Sequence, residues 1–380
     1  MKKRAVSDGA ATTAFIAVSP FQIISSLNIM TDLIQKNYGG GFVLFTTRES
    51  GVLKEIRNQR IFKEIYVIDR NKKGNNFFYL IKTLFFPLMA VRDQVSKYDK
   101  KLILEHIYCT DCNSLICSLY LYNLKINPSI KLHLIEDGAR NYCVQFDHYK
   151  KLRKIMNFFS LPLYADNFFD TVVFNSDMLE LTGSLKTANQ LNFYKNQSAI
   201  FLVKEIYKKK IFPNEINFKD LIYFNQPFFC GNTNIFKKIE SDVLRVVREF
   251  ASNEHFKFKN HPKFFSNQMP RKNQLETLVF EPYFIDEQEK LDHITLVGIS
   301  STALFSPKLM FDKEPVVIFL YEIFKNYFEN SKNSQEITCY INGSFSKAVQ
   351  RLRNIYREKS KVIVPKTLAD LKKVLTRILS

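Results

Sequence analysis

Glycine is scarce in this chain, with 11 among 380 residues, and none falls into a G-x-G-x-x-G pattern or a Walker loop. Dinucleotide binding through a glycine fingerprint and P-loop phosphoryl transfer therefore lose their usual backbone cradle. The Gly39-Gly40-Gly41 run precedes a strand instead of joining a strand to a helix, so it reads as a loop. No Asp-x-Asp occurs, which argues against a divalent cation bridging a diphosphate. The 6 cysteines include one Cys-x-x-Cys, Cys109 and Cys112. No second pair follows at zinc spacing, so the cysteines read as reduced core thiols of a cytosolic protein. Long apolar runs are missing too. The most apolar stretch, Phe77 to Val91, is interrupted by Pro87 and is shorter than the ~20 residues that cross a bilayer as a helix. Met1 to Thr13 is polar, has no apolar signal core, and reads as a loose tail. There is no internal repeat and no low-complexity segment.

What the chain has in excess is positive charge. Its 55 Lys and Arg against 37 Asp and Glu give a net charge of +18, which implies an anionic partner: nucleic acid, acidic lipid, an acidic polymer or a nucleotide. Basic residues near Phe77 to Val91 also make that segment a candidate for peripheral contact with an acidic membrane, beside its plainer reading as a core helix. With 46% apolar residues and this length, two domains with separate cores are expected.

The pattern along the chain alternates strand and helix. Ala14 to Val18 reads as a strand, and Ser19-Pro20 then starts a helix, with serine as cap and proline at the first helical position. Further strands are expected at Gly41 to Thr47, Lys63 to Asp69, Leu102 to Ile107 and Leu132 to Ile135, and at Thr171 to Phe174. Helices separate them near Val52 to Gln59, Phe77 to Arg92 and Asn113 to Tyr122. A helix from Ser198 to Lys208 leads into a second series of strands. These are Leu221 to Phe224, Phe256 to Lys259, Thr277 to Phe280, Ile294 to Val297, Val316 to Leu320 and Val362 to Val364, with a helix near Phe236 to Ala251 and a closing helix from Leu368 to Leu379. Such alternation predicts parallel sheets covered by helices. The expected fold class is α/β, with two facing Rossmann-like domains, residues 1–205 and 206–380, and a cleft between them.

Chemistry-bearing residues gather where these strands end. Ligands of open α/β sheets collect at the carboxyl edge, and there the strand Leu132 to Ile135 runs into Glu136-Asp137-Gly138. Gly138 permits a sharp turn. Because strand side chains alternate between faces, at most one of the two carboxylates points at a reacting centre. An acidic turn is the plain alternative. In the second half, His261-Pro262 follows the strand Phe256 to Lys259. A histidine there can bond a phosphate oxygen or deliver a proton near neutral pH, although a surface histidine in a turn is the simpler explanation. Gly298-Ile299-Ser300-Ser301-Thr302 follows another strand and precedes a helix-like stretch, Ala303 to Phe311, that Pro307 is expected to break; hydroxyls and backbone N–H groups there can form an anion site. Simple capping explains one serine and not the triplet. Finally, the acidic stretch Glu281 to Glu287 offers a carboxylate to the two hydroxyls of a ribose, or is a solvated turn. His106, His133, His148, His255 and His293 show no metal-ligand spacing and no nucleophile partner, and read as core or surface residues.

Taken together, Glu136-Asp137-Gly138, His261-Pro262 and Ser300-Ser301, with the opening Ser19-Pro20-Phe21-Gln22 turn, resemble the bacterial sialyltransferases that carry a D/E-D/E-G motif, an HP motif and a later serine pair. The likeness is greatest to the capsular polysialyltransferases and the related lipooligosaccharide sialyltransferases. The resemblance implies a GT-B fold, CMP-sialic acid as donor, inversion at the anomeric carbon, and neither a cofactor nor a metal. It implies that the N-terminal domain holds the acceptor and the catalytic base, Asp137 or else Glu136, and that the C-terminal domain holds the donor. His261 resembles the residue that contacts the CMP phosphate, Ser300 and Ser301 the phosphate-binding pair, and Glu287 or Asp286 the ribose ligand. The charge selects oligo- or polysialic acid as the acceptor, since each sugar of that polymer bears a carboxylate. A cytoplasmic protein, peripheral at the inner membrane, is expected, with no nucleic acid as partner. The alternatives are a lipooligosaccharide sialyltransferase and a surface-polymer transferase using a Kdo or polyol-phosphate donor. From another class comes a basic nucleic-acid-binding protein, against which stands the lack of any recognition helix or RNP-like motif.

Overall fold

Strands that are apolar on both faces need helices above and below, and that is how the chain is built. The computed structural model describes residues 12–47, 52–69, 77–95, 98, 102–110, 114–138, 142, 168–179, 187–208, 216–226, 233–251, 254–261, 273–275, 280–329 and 343–379. The chain divides into two compact units. The first comprises Met1–Asp137, Phe146–Ser176 and Leu181–Tyr207, and the second Gly138–Gln145, Asp177–Glu180 and Lys208–Ser380.

The first unit holds a seven-stranded sheet: β1 (Thr12–Ile16), β2 (Gly41–Thr46), β3 (Glu64–Val67), β4 (Leu104–Cys109), β5 (Lys131–Ile135), β6 (Phe168–Val173) and β7 (Ala188–Gln190), in the order β3-β2-β1-β4-β5-β6-β7. Every pairing is parallel. The helices are α1 (Pro20–Gln35), α2 (Leu53–Gln59), α3 (Phe77–Phe85), α4 (Pro87–Gln94), α5 (Ser114–Leu124) and α6 (Gln197–Tyr207). Ala14, Ile16, Val43, Phe45, Leu132 and Leu134 pack with Val91, Leu115 and Leu119 into the core on one sheet face. Elsewhere in the unit the Asn196 amide donates to Asn28 O at 3.1 Å and to Thr31 Oγ1 at 2.8 Å, while its oxygen accepts from Ala199 N at 3.1 Å. One side chain thereby ties the start of α6 to α1.

The second unit repeats the scheme with six parallel strands: β8 (Leu221–Phe224), β9 (Phe256–Lys259), β10 (Gln274–Leu275), β11 (Thr295–Gly298), β12 (Val316–Phe319) and β13 (Val362–Ile363), in the order β10-β9-β8-β11-β12-β13. Its helices are α7 (Thr233–Phe250), α8 (Glu281–Asp286), α9 (Ser306–Phe311), α10 (Tyr321–Glu329), α11 (Gly343–Ile355) and α12 (Leu368–Leu379). Near α9 the Lys308 ammonium, 7% exposed, meets the Glu314 carboxylate, 4% exposed, at 2.6 Å. The α/β class and the two Rossmann-like domains are therefore those that the alternation predicts.

Local expectations fail in three places. Thr12 and Thr13 are not tail residues but the start of β1, fully buried and paired with Gly41 and Phe42; their β-branched side chains suit a buried strand. The run Phe77 to Arg92 is two helices, because Pro87 cannot continue the first and instead starts the second. Pro307 likewise opens α9 rather than breaking it. The strand expected at Thr277 to Phe280 lies outside the described residues apart from Phe280, as do His148, Pro262, Cys112, Cys143, Cys230 and Cys339.

Candidate functional site

In the first sheet the strand order reverses between β1 and β4, and the carboxyl ends beside such a reversal are where doubly wound folds bind ligands. The turn leaving β1 enters α1 through a capping box: Ser19 Oγ accepts from Gln22 N at 3.2 Å, while Gln22 Oε1 accepts from Val18 N at 2.7 Å and Ser19 N at 3.2 Å. Two backbone donors on Oε1 fix the orientation of the amide, so Nε2 must donate. It does so to Thr110 Oγ1, just beyond β4, at 3.0 Å and to Asp137 Oδ1, beyond β5, at 2.9 Å. Tyr207 OH holds the same turn by donating to Pro20 O at 3.3 Å.

The two adjacent carboxylates separate in role. Glu136 is 1% exposed, and its Oε2 accepts from Phe174 N at 2.7 Å; it fastens the end of β5 to the end of β6. Asp137 is half-buried at the sheet edge, with one oxygen oriented by Gln22. Gly138 follows at φ +68°, in the left-handed region that favours glycine.

In the second sheet the order reverses between β8 and β11. Gln226, just past β8, receives both Ser300 N at 2.7 Å and Ser300 Oγ at 3.1 Å on its Oε1. Ser300 is 6% exposed, and Ser301 Oγ caps the following turn by accepting from Ala303 N at 3.4 Å. Half-buried His261 stands beyond β9, on the same carboxyl edge. Before it, Lys259 is buried and donates to Asn260 O at 2.5 Å. Burial lowers its pKa to about 8, against the opposing pull of Glu281.

The acidic stretch divides along α8. Glu281, at the start, is buried, its pKa is pushed up by burial, and it accepts from Ser306 Oγ at 3.2 Å. At the far end Asp286 is exposed, and Glu287 pairs with Lys290 at 2.8 Å.

Four groups escaped the sequence reading. Gln22 was legible in principle, because Ser19-x-x-Gln22 is a capping-box pattern. Gln226 and Lys259 carry no local signal. The fourth is a polar chain across the first sheet, on the face away from its hydrophobic cluster. There His106 Nδ1 lies 2.8 Å from His133 Nε2, and His133 Nδ1 lies 2.5 Å from Asp170 Oδ1, with the Tyr108 ring stacked on His133 at 4.2 Å. Register assembles this cluster, since β5 sets His133 opposite Tyr108 on β4 and Asp170 on β6. Burial, with His133 and Lys131 nearby, lowers the His106 pKa to about 4. Among the described residues no group of three His, Cys, Asp or Glu side chains is arranged to hold a metal ion.

Neither a protein-family model nor a curated protein matches this chain. Among solved structures, it is similar to MurG of Acinetobacter baumannii (10% identity, TM-score 0.49, 98% of this chain and 91% of that one). It is also similar to a sialyltransferase from Photobacterium damselae, residues 113–497 corresponding to the GT-B domain (12% identity, TM-score 0.49, 93% and 99%). A third is the α/β-galactoside α-2,3-sialyltransferase of the luminous marine bacterium Photobacterium phosphoreum (12% identity, TM-score 0.45, 95% and 99%).

Proposed function

We propose that this protein is an inverting glycosyltransferase of GT-B architecture that moves sialic acid from CMP-sialic acid to a glycan, elongating an oligo- or polysialic acid chain without a metal or cofactor. The observation that carries the reading is the half-buried Asp137 carboxylate on the carboxyl edge of the first sheet, beyond β5, oriented by a glutamine whose four hydrogen bonds fix its own position. An inverting transfer needs one base on the acceptor hydroxyl. A carboxylate held in one rotamer by a second residue suits that task better than a solvated turn does.

Departure of CMP leaves positive charge spread over the sugar ring and negative charge on the phosphate. The enzyme must therefore supply donors to the phosphate and exclude water, which otherwise hydrolyses the donor. Ser300, Ser301 and His261 are the residues assigned to the phosphate, with His261 delivering a proton to it as it leaves. Asp137 removes the acceptor proton. For the ribose, the reading keeps Glu287 and Asp286 and adds Glu281, the buried carboxylate at the start of the same helix. Incubation with CMP-sialic acid, CMP-Kdo and CDP-glycerol in parallel tests the donor. Release of CMP and transfer with the first alone is expected, and turnover with either of the others alone overturns the choice.

The net charge of +18 supports a polyanionic acceptor. It also supports a place at an anionic lipid surface. No described helix is long and apolar enough to cross a membrane. At the joint of α3 and α4, however, Phe85, Phe86 and Met89 are 56%, 57% and 55% exposed, an apolar cluster that a bilayer interface would cover.

A further inference from the structure

Ser300 turns two donors, its backbone N–H and its hydroxyl, onto a single oxygen, Gln226 Oε1, at 2.7 and 3.1 Å. Paired donors converging on one oxygen are what a phosphate oxygen needs, yet a neutral side-chain amide fills the place. The N–H that reaches it fixes which end of the Gln226 amide is oxygen. Among the described residues the amide makes no other hydrogen bond, and Gln226 is only half-buried while Ser300 is buried. The serine is thus fixed and the glutamine is the displaceable partner.

We infer that Gln226 is a latch on the phosphate subsite: its amide oxygen occupies the position of a nucleotide phosphate oxygen, and ligand binding must expel it. The inference rests on the reading of Ser300 as a phosphate ligand. It adds a competitor to that site, with a physical consequence. A neutral sugar hydroxyl, or water, accepts the two hydrogen bonds no more strongly than the amide oxygen does and leaves the latch shut. A charged phosphate oxygen makes both more strongly and opens it. Gln226 thereby lowers the affinity for ligands that place a phosphate oxygen on Ser300, because they alone must expel it, and it keeps the Ser300 donors paired when no donor substrate is bound. The opposite role, a brace that holds Ser300 in place for the phosphate, uses the same two contacts and predicts the opposite sign.

Calorimetric titration of the full chain with CMP, cytidine and inorganic phosphate separates the two. For Gln226→Ala the latch predicts CMP bound roughly three- to tenfold more tightly, phosphate tightened in the same direction, and cytidine unchanged. Gln226→Glu puts a charged acceptor on the same donors and predicts CMP weakened at least about tenfold, again with cytidine unchanged. Gln226→Asn, which is too short to reach, repeats the direction of the alanine variant and guards against a folding defect in it. CMP affinity unchanged or weakened in both Gln226→Ala and Gln226→Asn overturns the latch and leaves the functional reading standing. Loss of any CMP binding in both the wild type and the variants overturns both.

Discussion

Gln22 Nε2 donates to Asp137 Oδ1 at 2.9 Å across 115 residues of sequence, and this contact joins the first turn of the first helix to the end of the fifth strand. It makes Gln22 a positioning residue for the proposed base. Gln22→Ala is expected to lower kcat roughly 10- to 100-fold, since small misplacements of a reacting group cost rates of this order. KM for the donor should be little changed. The capping box is lost as well, at about 1 kcal/mol of stability. Steady-state kinetics with a thermal melt checks this, and an unchanged kcat removes the positioning role.

The adjacent carboxylates should respond oppositely. Asp137→Asn removes the proposed proton acceptor and is expected to cost at least about a hundredfold in kcat, with little effect on the melting temperature. Glu136→Ala leaves the buried Phe174 N–H without its acceptor and should cost about 1–3 kcal/mol, while Glu136→Gln, which keeps an acceptor, retains most activity. Reversal of this pattern between the two positions would transfer the role of base to Glu136.

These assignments show what could be read from sequence. The Rossmann-like rhythm and the strand-end placement of Glu136-Asp137, His261 and Ser300-Ser301 were legible, because buried strands and turn residues leave local patterns. The division of labour between Glu136 and Asp137 was not, since it depends on Phe174 and Gln22, which are distant in sequence. Gln226 and the His106–His133–Asp170 chain were invisible for the same reason: parallel register brings together residues that nothing local connects. Proline misled twice, at Pro87 and Pro307, where a residue that cannot continue a helix begins one.

Acidity should act on the second unit through Glu240. Burial pushes its pKa from 4.5 up to about 7, with the Tyr223 hydroxyl opposing. The folded state thus holds a proton that the unfolded chain releases above 4.5. The contribution of this group is fully present below pH 4.5 and is lost as pH rises through about 7. Glu240→Gln, always neutral, should flatten that loss. Melting temperatures measured at pH 5, 6 and 7 check it, and identical slopes for the variant and the wild type contradict it.

Lys308 and Glu314 give the opposite slope. Burial would raise Glu314, but hydrogen bonds from Arg357 N, Lys308 and Glu358 N outweigh it and hold the pKa at about 2 instead of 4.5. Its contribution is therefore present above 4.5 and lost as pH falls towards 2. Lys308→Ala removes one partner of a buried carboxylate that keeps the Arg357 guanidinium at 3.0 Å and the backbone N–H groups of Arg357 and Glu358, and should cost about 1–3 kcal/mol. Denaturant unfolding at neutral pH measures this, and a loss below about 1 kcal/mol would mean that the pair is effectively solvated.

Membrane contact is tested by co-sedimentation with vesicles of phosphatidylglycerol or of phosphatidylcholine. Binding to the anionic vesicles only is expected, weakened by salt, and reduced at least about tenfold by replacing Phe85, Phe86 and Met89 together with serine. Equal binding to both lipids, or binding insensitive to the triple replacement, removes these residues from the interface.

The most direct test of the central claim is to incubate the protein with CMP-sialic acid and a fluorescent oligosialic acid primer and to resolve the products by anion-exchange chromatography. The account predicts a ladder of longer chains with an equal release of CMP, both abolished in Asp137→Asn. An unextended primer with intact CMP-sialic acid, or a ladder that persists in Asp137→Asn, would contradict it.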